Sequence, residues 1–289
     1  MTEATKKAVG KSGAKDRPYE DLYIYLLNGL VEEQYESHFG DAFVGNWVED
    51  DSSFLFFGQP AQKEVDRLLE ICPDLELIES HQFTYEQWQG GGLEPFRIDD
   101  FVVVPPWEKE LSEDTGIRIL LDPGVVFGNG LHPTTRDCLK ALSLASRHRP
   151  FKKVLDLGTG TGVLALAAAR LGAESVLGVD INPLCIKTAL KNVELNGLQE
   201  IIRMVDGPAE NYVDEPADLV VANIHHAVIE RLLDSGVFRD AERFIISGLM
   251  RSQYRDVKSR LEMNRFRLLR EWDHDMTWFT CLAEKNSGD

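Results

Sequence analysis

Cysteine is scarce in this chain and poorly placed for a framework. The four thiols, Cys72, Cys138, Cys185 and Cys281, lie far apart and form no C-x-x-C pair or Cys/His ligand spacing, which argues against a metal site or disulfide scaffold and fits a reducing cytosol. Long apolar runs are missing too. The most apolar stretch, residues 163–173, contains Arg170 and falls far short of the roughly 20 residues that a membrane span needs. No apolar segment follows the first lysines, so neither export nor a membrane anchor is expected, and the reading is a soluble, cytoplasmic protein. Positive charge is in deficit: 31 Lys and Arg stand against 48 Asp and Glu, a formal charge of −17 with a pI near 4.9. Without a basic patch to neutralise phosphates, direct nucleic-acid binding is not expected, whereas the field favours basic partners. Lys6, Lys7, Lys11, Lys15 and Arg17 stand among Gly, Ala and Thr, and residues 1–18 read as a solvated tail.

What is present is ordinary globular composition, 43% hydrophobic and 27% charged over 289 residues, enough for one large or two modest domains. Residues 21–27, 43–47 and 53–57 are short apolar or aromatic runs, and 61–71 has helical spacing, so 19–88 is expected to form a small α+β domain. A breaker-rich stretch follows, and 89–111 reads as a connection that is partly strand and partly packed on the next domain. From residue 151 the pattern turns regular. Strands at 153–157, 175–179, 202–205, 218–222 and 243–247 alternate with helices at 163–171, 183–195, 227–233 and 252–261, and strands at 266–269 and 278–283 suggest an edge hairpin. Such alternation implies βαβ crossovers and a mostly parallel sheet over 112–289.

The chemistry concentrates in Val154-Leu155-Asp156-Leu157-Gly158-Thr159-Gly160-Thr161-Gly162. Gly158, Gly160 and Gly162 let the backbone turn sharply and let a ligand approach, and the helix that follows offers free N–H groups. Asp180, at the end of the next strand and twenty-two residues after Gly158, is placed to accept hydrogen bonds from both hydroxyls of a ribose, with Ile181 beside it. The spacing is not G-x-G-x-x-G, and the Lys-Ser/Thr of a phosphate-binding loop is missing. Asp156 would repel a pyrophosphate but suits a nearby ammonium. S-adenosylmethionine, which carries ribose, ammonium and sulfonium but no phosphate, fits these charges better than NAD. Asp206-Gly207, at the third strand, would approach the adenine, or form a plain solvent-facing turn.

Asp156 to Gly162 with Asp180 resembles the first motif and acidic partner of class I S-adenosylmethionine-dependent methyltransferases. Two more stretches narrow the resemblance: Leu121-Asp122-Pro123-Gly124-Val125-Val126-Phe127-Gly128-Asn129-Gly130-Leu131-His132-Pro133-Thr134-Thr135, and Val220-Val221-Ala222-Asn223-Ile224. With Trp88, Pro95 and Pro106-Trp107, they resemble the PrmA family, the methyltransferases of protein eleven of the large ribosomal subunit. The resemblance runs from about Trp88 to the C-terminus. It implies a Rossmann-like seven-stranded methyltransferase sheet in an α/β chain with a smaller N-terminal α+β, ferredoxin-like, recognition domain. It also implies that Thr135, Gly158, Asp180 and Asn223 contact S-adenosylmethionine, while Phe127, Gly128 and His132 shape a loop over it. The chain departs from the family pattern at Asn129, Leu131 and His225.

The expected activity is transfer of a methyl group to lysine side chains or the N-terminus of a basic protein, such as that ribosomal protein, leaving S-adenosylhomocysteine. No metal is required. Asn223 and His225 are the candidates beside the reacting nitrogen, since an unperturbed imidazole titrates near neutrality; a polar position in a helix's first turn is the plainer reading of His225. Alternatives are a methyltransferase for another protein or a small molecule, and a cofactor-binding module without turnover. A nicotinamide-dependent oxidoreductase is disfavoured by the glycine spacing.

Overall fold

The structure, a computed structural model, describes residues 17–91, 94–108, 115–235 and 241–286. Most of the expected tail, and the ends of the segments bounded at 111 and 112, lie outside these residues. Among the described residues no helix is long and apolar enough to cross a membrane.

The chain begins with β1 (Asp21–Asn28), α1 (Glu33–Glu36), β2 (Phe43–Glu49), β3 (Ser52–Phe57), α2 (Gln62–Ile71) and β4 (Glu76–Thr84). The strands form an antiparallel sheet in the order β2-β3-β1-β4, the β-α-β-β-α-β arrangement of ferredoxin-like folds. Both faces are covered. Leu27, Leu55 and Phe57 pack on Val65 and Leu68 of α2, while Leu22, Ile24 and Phe56 pack on Val125, Val126, Leu184 and Cys185 from the later part of the chain. Strand β4 has no counterpart in the sequence reading because it is an edge strand, mostly exposed and polar, and shows no clean alternation. Directly after it, α3 (Tyr85–Gln89) opens with a capping box: Thr84 Oγ1 accepts from Gln87 N and Gln87 Oε1 accepts from Thr84 N.

The next three strands, β5 (Phe96–Ile98), β6 (Phe101–Val104) and β7 (Ile117–Leu120), form a small sheet of their own. Its residues Ile98, Phe101, Val103 and Ile119 enter the main core. That core surrounds β8 (Lys153–Leu157), β9 (Ser175–Asp180), β10 (Ile202–Asp206), β11 (Leu219–Asn223), β12 (Arg243–Leu249), β13 (Phe266–His274) and β14 (Trp278–Lys285). Their order is β10-β9-β8-β11-β12-β14-β13. The first five are parallel, and the β13/β14 hairpin closes one edge with β14 antiparallel to β12.

Helices α4 (Pro133–His148), α5 (Val163–Arg170) and α6 (Pro183–Leu195) cover one face, and α7 (His226–Ser235) and α8 (Arg251–Met263) the other. Seven of the eight α5 residues are buried, which explains its continuous apolar run. Strand β11 starts one residue later than the sequence suggests, because the Asp218 carboxylate accepts from the Lys152 and Lys153 N–H groups at 2.7 and 2.9 Å. The chain reverses between β8 and β11, so the crevice beyond their carboxyl ends is where ligands bind in sheets of this kind.

A buried cation fixes α4, whose first turn reaches that crevice. Arg243 is fully buried and donates to the Ala145, Arg149 and Pro150 carbonyls at 3.0, 2.6 and 3.2 Å, with its guanidinium 5.6 Å from the Phe151 ring. These bonds satisfy the Arg149 and Pro150 carbonyls just past the helix end and give the Ala145 carbonyl, which also accepts from Arg149 N, a second donor. Arg243→Met should therefore cost about 3 kcal/mol, read as a lower urea midpoint with an unchanged slope. An unchanged midpoint would contradict that role.

Candidate functional site

The loop after β8 is held by the neighbouring strand as well as by its own threonines. Gly158 N and Thr159 N both donate to the Val179 carbonyl, at 2.8 and 2.9 Å. Gly158 has φ 75°, and a Cβ there would run into the Ile224 side chain. Gly160, at φ 54°, would place a Cβ 2.5 Å from the Phe127 carbonyl oxygen. Both positions require glycine for conformation and for space. Gly162 N-caps α5 at φ 82°.

Asp180 ends β9 and ties this loop to the next. Its Oδ2 accepts from Gly160 N at 2.9 Å and its Oδ1 from Asn182 N at 3.0 Å. Burial pushes its carboxyl above the ordinary range, and the two backbone donors oppose that shift. Asp206 ends the adjacent strand in register with Asp180, and Gly207 N donates to the Asp180 carbonyl at 3.0 Å. Ile181 is 72% exposed between them, an apolar surface at the mouth of a polar crevice. Asp156 lies beneath the loop, 0% exposed. Thr159 Oγ1 donates to its Oδ2 at 2.7 Å, but its Oδ1 is buried without a partner. Burial pushes this carboxyl up to about 7.

A second loop, from Asp122 to His132, lies over the first. Thr161 N donates to the Phe127 carbonyl at 3.1 Å and Thr161 Oγ1 to the Gly128 carbonyl at 2.7 Å. Phe127 itself is 49% exposed. His132 caps α4, with Nδ1 2.8 Å from Thr134 Oγ1. Burial, then the charge of His274, lowers its imidazole pKa. Its ring stands edge-on to Phe127 and to Trp278, at centroid distances of 5.3 and 5.4 Å. Asn223 ends β11 and its Nδ2 is 3.4 Å from Thr135 Oγ1. Thr135 is 1% exposed, so its hydroxyl meets the site through Asn223. His225 is exposed, and its carbonyl accepts from Val228 N and Ile229 N at the start of α7.

Several residues that shape the site escaped the sequence reading. Asn192, fully buried on α6, donates to the carbonyls of Asp122 and Thr161 and accepts from Asp122 N, so one amide joins both loops. Helix α3 holds the second loop from the other side. Tyr85 Oη and Gln89 Nε2 donate to the Gly124 carbonyl at 2.9 and 2.7 Å, and Trp88 Nε1 donates to the Val125 carbonyl at 3.1 Å. Asn129 answers by donating to the carbonyl and Oε1 of Gln89, at 2.8 and 2.9 Å. Trp278 completes the aromatic row. A buried Asn in a helix or a Trp opening a strand carries no local signal of the partner that folding brings to it.

The donor set suits a nucleoside. Asp180 retains lone pairs for ribose hydroxyls, half-buried Gly158 lies beside it at the strand tip, and the orphaned Asp156 oxygen is a buried acceptor under the loop. For metals the described residues fit poorly. Ligand atoms of His226, Glu230 and Asp256 lie within 4.8 Å of one another, yet Asp256 is already paired with Arg260 at 3.1 Å, which adds positive charge where a cation would sit.

A family model described as ribosomal protein L11 methyltransferase (PrmA) matches residues 62–286. The chain belongs to this family. A ribosomal protein L11 methyltransferase of Geobacillus kaustophilus is 39% identical over 171 residues, covering 58% of this chain and 54% of that protein. One from Clostridium botulinum is 37% identical over 215 residues, covering 72% and 67%. The chain thus spans about half the length of the Geobacillus relative. Among solved structures, a ribosomal protein L11 methylase from Lactobacillus delbrueckii subsp. bulgaricus is 31% identical with a TM-score of 0.58, covering 67% of this chain and all of that one. The PrmA match takes in every candidate site residue and α3. It begins at α2, so β1, β2 and β3 precede it.

The buried Asp156 makes a pH-dependent prediction. Below about pH 4 its carboxyl is protonated in both folded and unfolded chains; between about pH 4 and 7 only the folded protein keeps the proton, so stability falls as pH rises. Asp156→Asn removes this penalty. Its stability relative to wild type should rise from pH 4 to 7, by on the order of a few kcal/mol, and then level off. A difference that shrinks over that interval, in urea unfolding of both proteins, would contradict the assignment.

Proposed function

We propose that this chain transfers methyl groups from S-adenosylmethionine to lysine or N-terminal amines of a protein, with ribosomal protein L11 as the acceptor. The observation that carries the reading is the Asp180 carboxylate, pinned beside a three-glycine turn in a member of the PrmA family. When bound, S-adenosylmethionine supplies a methyl group on a positively charged sulfur, ready for in-line displacement by a nitrogen lone pair, with S-adenosylhomocysteine as the product.

The protein's own part is positioning and desolvation. Asp180 holds the ribose, with Ile181 and the Asp206-Gly207 turn flanking the nucleoside. Asp156 braces the loop from below through Thr159, on the side that the ammonium would take. Gly158, Gly160 and Gly162 provide the floor, and Phe127, Gly128 and His132 form the cover, with Thr135 behind Asn223. Asn223, at the tip of a buried strand, orients the incoming amine. That amine must arrive unprotonated, because its lone pair makes the new N–C bond while the C–S bond breaks; His225, exposed at the mouth, takes the departing proton.

Charge supports a basic acceptor. Residues 19–88 contain sixteen acidic residues and only two basic ones, Lys63 and Arg67, so most of the negative excess lies in the small N-terminal domain that the reading assigns to recognition. A ribosomal acceptor places the reaction in the cytoplasm.

Incubation of the chain with S-adenosylmethionine and purified ribosomal protein L11 should give methylated lysine or N-terminal peptides by mass spectrometry; an unmodified acceptor in the presence of bound cofactor would overturn the substrate. Asp180→Ala should weaken S-adenosylmethionine binding by about 1.5 to 3 kcal/mol, roughly 10- to 150-fold, by calorimetry. Unchanged affinity would remove the ribose from this carboxylate.

A further inference from the structure

A cleft of about 580 Å³ opens between the small sheet and the loop over the glycine turn. Its walls include Trp47 and Glu49 of β2, Phe54 and Phe56 of β3, Trp88 of α3 and Phe127 of the loop. Alternation along the strands puts Trp47 with Glu49, and Phe54 with Phe56, on one face. Trp47 pairs directly across from Phe54. Phe56 is buried at the base, edge-on to Trp88 with ring centroids 5.2 Å apart, and the Trp88 indole is fixed by its bond to Val125. The last wall is shared: Phe127, Gly128 and His132 line the cleft and also form the loop over the glycine turn. The cleft therefore meets the transfer site at that loop, while its outer wall of Trp47, Glu49, Phe54 and Phe56 belongs to the small sheet.

Its charge is one-sided. Glu49 is exposed at the rim, followed by exposed Asp50 and Asp51 in the β2–β3 turn, and among the described residues no lysine or arginine lines the cleft. Aromatic faces beneath a carboxylate suit a cation on an apolar stem: the methylenes of lysine or arginine lie along the rings, and the charged head meets both the ring faces and Glu49. The volume is that of a site taking a ligand larger than one side chain. Trp47, Glu49, Phe54 and Phe56 all precede residue 62, where the PrmA match begins, so this wall is built from the part of the chain outside that match.

We propose that this cleft is a docking subsite for a lysine- or arginine-bearing segment of the acceptor protein, held next to the amine that is methylated. The proposal rests on the methyl-transfer reading for its purpose, but not for its binding chemistry. By anchoring a basic residue near the target, the cleft would select which amine of the acceptor reaches Asn223.

The test uses the full chain without cofactor and titrates three peptides of equal length by calorimetry: an oligolysine, a neutral leucine-serine peptide and an oligoglutamate. The oligolysine should bind, the oligoglutamate should not, and the neutral peptide should bind at least tenfold more weakly than the oligolysine. Glu49→Gln and Trp47→Leu should each lower oligolysine affinity at least fivefold. Glu70→Gln, on α2 against the opposite face of the sheet, should leave it unchanged. With L11 as acceptor, Glu49→Gln should raise KM while kcat and S-adenosylmethionine affinity stay constant. Equal weakening by Glu70→Gln would show attraction by overall charge and overturn the subsite, as would tight binding of the neutral peptide. Unchanged oligolysine affinity in the exposed-site variant Glu49→Gln would also overturn it, whatever the fold of Trp47→Leu. If L11 remains unmethylated while the peptide results hold, the transfer reading falls and the cation-binding cleft stands; if methylation proceeds but the peptides ignore the cleft, the subsite alone falls.

Discussion

Two hydrogen bonds to one carboxylate set the geometry of this site. Asp180 accepts from Gly160 N in the loop after β8 and from Asn182 N in its own, so the tips of two neighbouring parallel strands are locked together at the crevice. The glycine turn can pack this closely because Gly158 and Gly160 present no Cβ to Ile224 and Phe127. Whatever occupies the crevice meets a loop already held in place, and little ordering entropy remains to oppose binding.

The same loop is also the meeting point of the two parts of the chain. Thr161 grips the backbone of Phe127 and Gly128 from below, and Asn192 joins Asp122 to Thr161. From the other side Tyr85, Trp88 and Gln89 of α3 hold Gly124 and Val125, with Asn129 returning two bonds to Gln89. Helix α3 follows directly on the edge strand of the small sheet. A partner that bears on that sheet is therefore linked, through α3 and its hydrogen bonds, to the loop over the glycine turn. Asn129 adds two of the five hydrogen bonds in this connection.

How much of this could be read beforehand depends on whether the signal was local. The strand, glycine turn and helix from Lys153 onward, and Asp180 at the next strand tip, are contiguous patterns, and they fold as the spacing predicts. The sheet with its terminal hairpin was legible for the same reason. Strand β4 was not, because residues 76–84 are polar and lie at an edge where no face is fully buried. Nor were Asn192, Trp278 and the α3 bonds, whose partners lie tens of residues away and are set by packing. Thr135 was implied as a cofactor contact, and the structure places its hydroxyl behind Asn223.

The account stands or falls on where a nucleoside sits. A crystal structure of the chain grown with S-adenosylhomocysteine should show both ribose hydroxyls hydrogen-bonded to the Asp180 carboxylate, with the sugar over the turn at Gly158 to Gly162. A nucleoside bound elsewhere, or a crevice closed by side chains with Asp180 engaged only by Gly160 and Asn182, would contradict it.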